Sequence, residues 1–196
     1  MVHRNAKGVI DAFQNNVLKQ IQKGDAALAG ELEALWLREQ AALPSQQLDL
    51  EPVAFIDLMV HLADVVKQTE TKVENGSSPT LDRVDYQQDA DGNGRIYIVI
   101  GGNVLSRGLT LEGLTVSFFI RSASAYDTLL QMGRWFGYRP GYGDLARVWM
   151  TEELRDYFYD LASVEREIRQ DISCYKNGDV TPMEFAVRIR QHPALA

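Results

Sequence analysis

In Ile96-Tyr97-Ile98-Val99-Ile100-Gly101-Gly102-Asn103-Val104-Leu105-Ser106-Arg107-Gly108-Leu109-Thr110, an unbroken run of β-formers enters a pair of glycines and then a polar loop. A run that is apolar at every position, instead of alternate ones, suits a strand covered on both faces, as in a parallel sheet. Two further runs repeat the pattern. Leu114-Thr115-Val116-Ser117-Phe118-Phe119-Ile120 ends in Arg121-Ser122-Ala123-Ser124, with a helix expected from about Ser124 through Leu129-Leu130-Gln131-Met132. Leu145-Ala146-Arg147-Val148-Trp149-Met150 ends at Thr151, which reads as the N-cap of a long helix with Glu152 and Glu153 in its first turn. Strand, polar loop, helix and strand in succession is the rhythm of an α/β fold with a mainly parallel central sheet between helical layers.

Upstream of these runs the pattern is helical. Val9, Ile10, Phe13, Val17, Leu18 and Ile21 fall at spacings of three and four and predict an amphipathic helix that Gly24 ends. Asp25 reads as the N-cap of a second helix carrying Leu28, Leu32, Leu35 and Trp36 to about Ala42, where Pro44-Ser45 breaks it. Glu51-Pro52 opens a third, with Phe55, Leu58, Met59 and Leu62 on its apolar face. The β-branched stretch Val65 to Val73 reads as a strand, followed by a loop through Asn75-Gly76-Ser77-Ser78-Pro79. After Glu152 the chain is helical to about Lys176; Asn177-Gly178 stops it, and Thr181-Pro182 starts a short last element. The expected organisation is an α/β lobe over 1–150 and a helical extension over 151–196 packed on it.

Composition narrows the classes. A chain of 196 residues suits one domain, or one with an appendage. Its one cysteine, Cys174, excludes an internal disulfide and a multi-cysteine zinc site, and fits a reducing compartment. No apolar run approaches the roughly 18 residues of a membrane span, and Met1-Val2-His3-Arg4-Asn5 does not open a signal peptide, so a cytoplasmic protein without a membrane partner is expected.

Net charge is −7, which argues against a surface that is basic all over. The distribution is uneven. From Arg95 to Met150 there are six arginines (95, 107, 121, 134, 139, 147), no lysine and three acids, a local balance of +3 that leaves −10 for the remainder. Arginine without lysine suits planar, bidentate recognition of phosphate, and interleaved glycines let backbone N–H groups approach an oxyanion. The same arginines could equally pair with carboxylates of an acidic neighbouring face, with the glycines only turning the chain. In open parallel sheets ligands gather at the carboxyl ends of strands, where the glycine- and arginine-rich segments fall.

A specific resemblance rests on these segments. Residues 98–110 resemble motif V of superfamily-two helicases, a buried strand followed after a short gap by Arg-Gly-hydrophobic, and Gly133-Arg134 within 131–139 resembles motif VI, which carries the arginine finger. Leu105-Ser106-Arg107-Gly108-Leu109-Thr110-Leu111-Glu112-Gly113-Leu114, followed by Tyr126-Asp127-Thr128-Leu129-Leu130-Gln131-Met132-Gly133-Arg134-Trp135-Phe136-Gly137-Tyr138-Arg139, is similar to the Z-one endonuclease domain family. That family occurs in large bacterial proteins with a helicase-like ATPase core, linked to restriction or defence against foreign DNA.

The resemblance implies a RecA-like, P-loop-NTPase-type C-terminal lobe, in which Met1-Val2-His3 would be the first strand. It implies that Arg134 reaches the γ-phosphate of an ATP held by another lobe, with Gln131 and Arg139 beside it. Arg107, Gly108 and Thr110 would face the nucleotide, and Gly102, Asn103 and Arg121 the nucleic-acid backbone. There are departures. Thr110 stands where the motif has Asp, Gln131 is one residue out of register, and the place of a second finger arginine is Gly137, with Arg139 two residues later. Trp135, Phe136 and Tyr138 read as packing residues.

Neither Gly-x-x-x-x-Gly-Lys-Ser/Thr nor an Asp-Glu pair after a buried strand occurs, so ATP and Mg²⁺ would be bound mainly by an N-terminal ATPase lobe of the same or a neighbouring polypeptide, and the chain alone would be inactive. DNA is the other expected partner. Two alternatives stand beside this reading: a metal-dependent endonuclease using Asp57, Glu70 and Lys72, and a non-catalytic interaction module. Asp89-Ala90-Asp91-Gly92-Asn93-Gly94 begins like a calcium loop, but the twelfth position is Ile100 where a bidentate Glu is needed, so a turn is expected. No metal ligand set is expected.

Overall fold

The computed structural model describes residues 2–74, 84, 94–102, 105, 111, 113–120 and 141–176. They fall into two compact units, Met1–Leu114 with Gly137–Ala146, and Thr115–Phe136 with Arg147–Ala196.

The first unit opens with α1 (Val2–Gln22) and α2 (Ala26–Ala42). Val2 and His3 are therefore helical, not the first strand that the helicase resemblance implies. The reason lies in the spacing: His3, Lys7, Ile10, Gln14, Val17 and Ile21 alternate steps of four and three and form the half-buried face of α1. Val9 and Phe13, counted above with the apolar face, point outward.

The inward face carries polar residues because it meets backbone carbonyls. Lys7 Nζ donates to the Thr71 carbonyl at 2.8 Å and pairs with Asp11 at 2.9 Å. The hydrogen bond from Lys7 holds the Asp11 carboxyl below the usual carboxylate range. Gln14 Nε2 donates to the carbonyls of Val66 at 2.6 Å and Thr69 at 2.7 Å. These are groups that a helix end leaves unpaired, and Gln14 supplies their donor.

Gly24, at φ 67°, ends the helical hairpin's first arm in the left-handed conformation that glycine tolerates. Asp25 caps α2 as expected, its Oδ1 accepting the N–H groups of Ala27 at 3.0 Å and Leu28 at 3.2 Å. Trp36 Nε1 and Gln40 Nε2 of α2 both donate to the Val53 carbonyl.

The third helix, α3 (Phe55–Gln68), then runs through Val65 and Val66, where β-branching suggested a strand. Leu58, Leu62 and Val66 lie one turn apart on its half-buried face, and this packing outweighs the weak β preference of the two valines. Thr69 closes α3, donating its hydroxyl to the Val65 carbonyl at 2.7 Å.

The strand begins at once as β1 (Glu70–Glu74), which pairs in parallel with β2 (Tyr97–Gly101), from Glu70 opposite Tyr97 to Glu74 opposite Gly101. Two short 3₁₀ turns, Ser45–Leu48 and Gly143–Leu145, meet in this unit, where the buried Ser45 hydroxyl donates to Asp144 Oδ2 at 2.8 Å.

In the second unit β3 (Val116–Phe119) and β4 (Arg147–Met150) form another parallel pair, with Val116 opposite Arg147 and Phe119 opposite Met150. The final helix, α4 (Glu152–Lys176), starts at the expected Thr151 cap, whose Oγ1 accepts the Leu154 N–H at 3.3 Å. Leu154, only 2% exposed, and Leu161 form a buried pair against which Phe119, Met150, Tyr157 and Phe158 pack. Phe119 and Phe158 meet edge to face at 6.0 Å between ring centroids.

One helix covers one face of a sheet, so the opposite face of β3 is open: Phe118 is 77% exposed, and Val116 and Ile120 are exposed beside it. The expectation of strands covered on both faces therefore does not hold for β3, nor for Ile98 of β2. Among the described residues the strands form two separate parallel pairs. The helix expected from Ser124 to Met132 and the element at Thr181-Pro182 lie outside the described residues. No helix among the described residues is long and apolar enough to cross a membrane.

Candidate nucleic-acid interface

The carboxyl end of the β1–β2 pair is built by two glycines that differ in kind. At Gly101 a Cβ would stand 2.7 Å from both the Glu74 carbonyl oxygen and Leu105 Cγ, so close packing of the strands and of the following turn requires glycine. Leu105 N–H donates to the Gly102 carbonyl at 3.1 Å, closing that turn. At Gly102, among the described residues, a Cβ would meet only the His3 ring, at 3.7 Å from Cε1 and 3.9 Å from Nε2, which is ordinary contact. Its φ also lies outside the left-handed region. Neither its backbone conformation nor its packing against the described residues demands glycine at 102. What its missing side chain provides is access to the backbone just beyond a parallel strand.

The helix α1 supplies the neighbouring charge. Gln14 meets Val66 and Thr69, Lys7 meets Thr71 and His3 meets Gly102, so α1 runs antiparallel to the strands and its first turn lies at their carboxyl end. Between Val2 and Ile10 the helix carries His3, Arg4 and Lys7 and no acid. Lys7 is engaged by Asp11 and Thr71, whereas His3 is half-buried and Arg4 exposed, with no ion pair to either among the described residues. In a chain of net charge −7 this is a local basic edge. Sequence reasoning missed His3, having placed it in a strand; the four-three spacing that continues through Ile21 was the signal.

Of the residues singled out from sequence, Gly102 is placed by the structure. Asn103, Arg107, Gly108, Thr110, Arg121, Gln131, Arg134 and Arg139 lie outside the described residues. The endonuclease alternative is open to inspection. Asp57 sits in the first turn of α3. Lys72 Nζ pairs with Glu70 at 3.1 Å and lies 5.9 Å from the Tyr97 ring centroid, so its ammonium is engaged within its own sheet. Glu74, 3% exposed, shares the strand face of Glu70 and Lys72 and accepts the Val84 N–H at 2.9 Å. Among the described residues no group of three His, Cys, Asp or Glu could hold a metal ion. The calcium-loop segment lies almost wholly outside them.

A parallel pair whose second strand ends in two glycines, beside a helix turn that bears His3, Arg4 and Lys7, makes this an α/β unit. The chain belongs to the Z1 domain family, whose model matches residues 1–196. Comparison with curated proteins and with solved structures gives no match.

Proposed function

We propose that this chain is the C-terminal, RecA-like lobe of a helicase-like, ATP-dependent enzyme acting on DNA in the cytoplasm, part of a restriction or defence endonuclease. The observation that supports the reading is Gly102, where a Cβ would make only ordinary contact with the described residues, at a position that the motif V resemblance assigns to the nucleic-acid backbone. Membership of the Z1 family over all 196 residues supports it. Gly102, Asn103 and Arg121 contact the DNA backbone. Arg107, Gly108 and Thr110 face the nucleotide. Arg134, with Gln131 and Arg139 beside it, completes the charge stabilisation around the γ-phosphate of ATP held by an N-terminal lobe. The described residues present no acidic cluster for Mg²⁺, and no step is assigned to a metal on this chain.

The chemistry required of the arginines is electrostatic. Phosphoryl transfer leaves little covalent work for the protein, so a guanidinium delivered to the developing charge acts on the rate of hydrolysis. The test is DNA-stimulated ATP hydrolysis by the polypeptide that contains both the P-loop lobe and this chain. Arg134→Ala is expected to lower kcat by about a thousandfold. Hydrolysis at the wild-type rate overturns the finger assignment.

A further inference from the structure

We infer that His3 is a nucleic-acid-contacting residue, its imidazole hydrogen-bonding a phosphodiester oxygen of DNA laid against Gly102. The inference rests on the reading of Gly102 as a DNA-backbone contact and adds a residue to it from a different element. Three observations carry it. Gly102 carries no side chain although, against the described residues, a Cβ would make only ordinary contact there, and that missing side chain is what lets a ligand come close to the backbone. The atoms flanking that opening are Cε1 and Nε2 of His3, at 3.7 and 3.9 Å from the place of the missing Cβ. A group seated there comes beside a ring nitrogen that can donate. The charge on the first turn of α1 also has the right sign. Lys7 is already held by Asp11 and the Thr71 carbonyl, but His3 and Arg4 have no ion-pair partner among the described residues. The carboxylate nearest along the strand, Glu74, accepts the Val84 N–H. An anion of a polymer backbone satisfies these features together: it needs close approach to main chain, a donor at its side and positive charge around it.

The experiment measures binding of a fluorescein-labelled DNA duplex to the full polypeptide by anisotropy across a salt series, with thermal melts of each variant. His3→Ala is expected to weaken binding about five- to tenfold at moderate salt while melting as wild type does, and His3→Lys to restore it, since a phosphate contact tolerates a different N–H donor. Full affinity in His3→Ala overturns the inference. So does a loss that His3→Lys does not repair, because that identifies a packing role. Gly102→Glu separates this failure from failure of the underlying reading. If Gly102→Glu abolishes binding and His3→Ala does not weaken it, the DNA site stands and the role of His3 falls. If the wild type binds no DNA, both fall.

Discussion

At the scale of single residues, adjacent glycines answer to different constraints. Gly101 is held by the Glu74 carbonyl and the Leu105 side chain, and the carbonyl, being main chain, cannot swing aside. Gly101→Ala is expected to destabilise the first unit by about 1–3 kcal/mol, the usual cost of overpacking, whereas Gly102→Ala should change stability by less than about 0.5 kcal/mol. Chemical denaturation of the two variants checks this. Equal losses would show that Gly102 is structural and would remove the main support for a ligand there. The double glycine was visible in the sequence as a break after a β-run; the difference between its members was not. It depends on what stands opposite each Cα, and His3 is almost a hundred residues away.

At the scale of elements, the clearest readings were those whose cause is local. Asp25 before α2 and Thr151 before α4 were legible because a cap acts on N–H groups two or three residues ahead. The inward face of α1 was not, because a hydrophobic pattern treats Lys7 and Gln14 as solvent residues and Val9 and Phe13 as core. The docked face is chosen by the carbonyls at Val66, Thr69 and Thr71, which no periodicity in α1 can reveal. Gln14 is the strongest test of this docking. Gln14→Leu keeps the size of the side chain and removes both donors, and should cost about 2 kcal/mol through two part-buried carbonyls left unpaired. Urea midpoints compare it with Asn16→Leu, a control on the exposed side of the same helix. The misplaced start of β1 has the same origin: Val65 and Val66 favour a strand only weakly, and the turn-by-turn register of Val66 with Leu58 and Leu62 decides for the helix.

At the scale of the molecule, the four strands pair in parallel, but as two pairs, one joining β1 to the first of the three β-runs and one joining the other two. The strand residues that the helical face of α4 covers depend heavily on Leu154. Leu154→Ala should destabilise the second unit by about 2–4 kcal/mol, because the lost side chain leaves a cavity between β3, β4 and α4. Hydrogen exchange localises the effect: faster exchange is expected in β3, β4 and α4 before β1 and β2, and uniform acceleration would mean that the chain unfolds as one cooperative block. The arginines to which a role is proposed were legible from sequence as composition and as motif. The proposed roles call on an ATP-binding lobe whose motifs this sequence does not contain, so spacing within this chain does not establish them.

The hydrogen bond between Ser45 and Asp144 joins residues 99 positions apart, and the segment carrying Asp144 returns to the first unit after the chain has already entered the second. A ribosome adding roughly 5–20 residues per second therefore exposes α1, α2 and α3 for several seconds before the partner of Ser45 exists. The first unit cannot be completed in the order in which it is made. Its nascent form must wait, with the Ser45 hydroxyl lacking its Asp144 partner, until the return segment has cleared the exit tunnel. A circular permutant that places Gly137–Ala146 ahead of α1 would remove that wait and let the first unit close during synthesis.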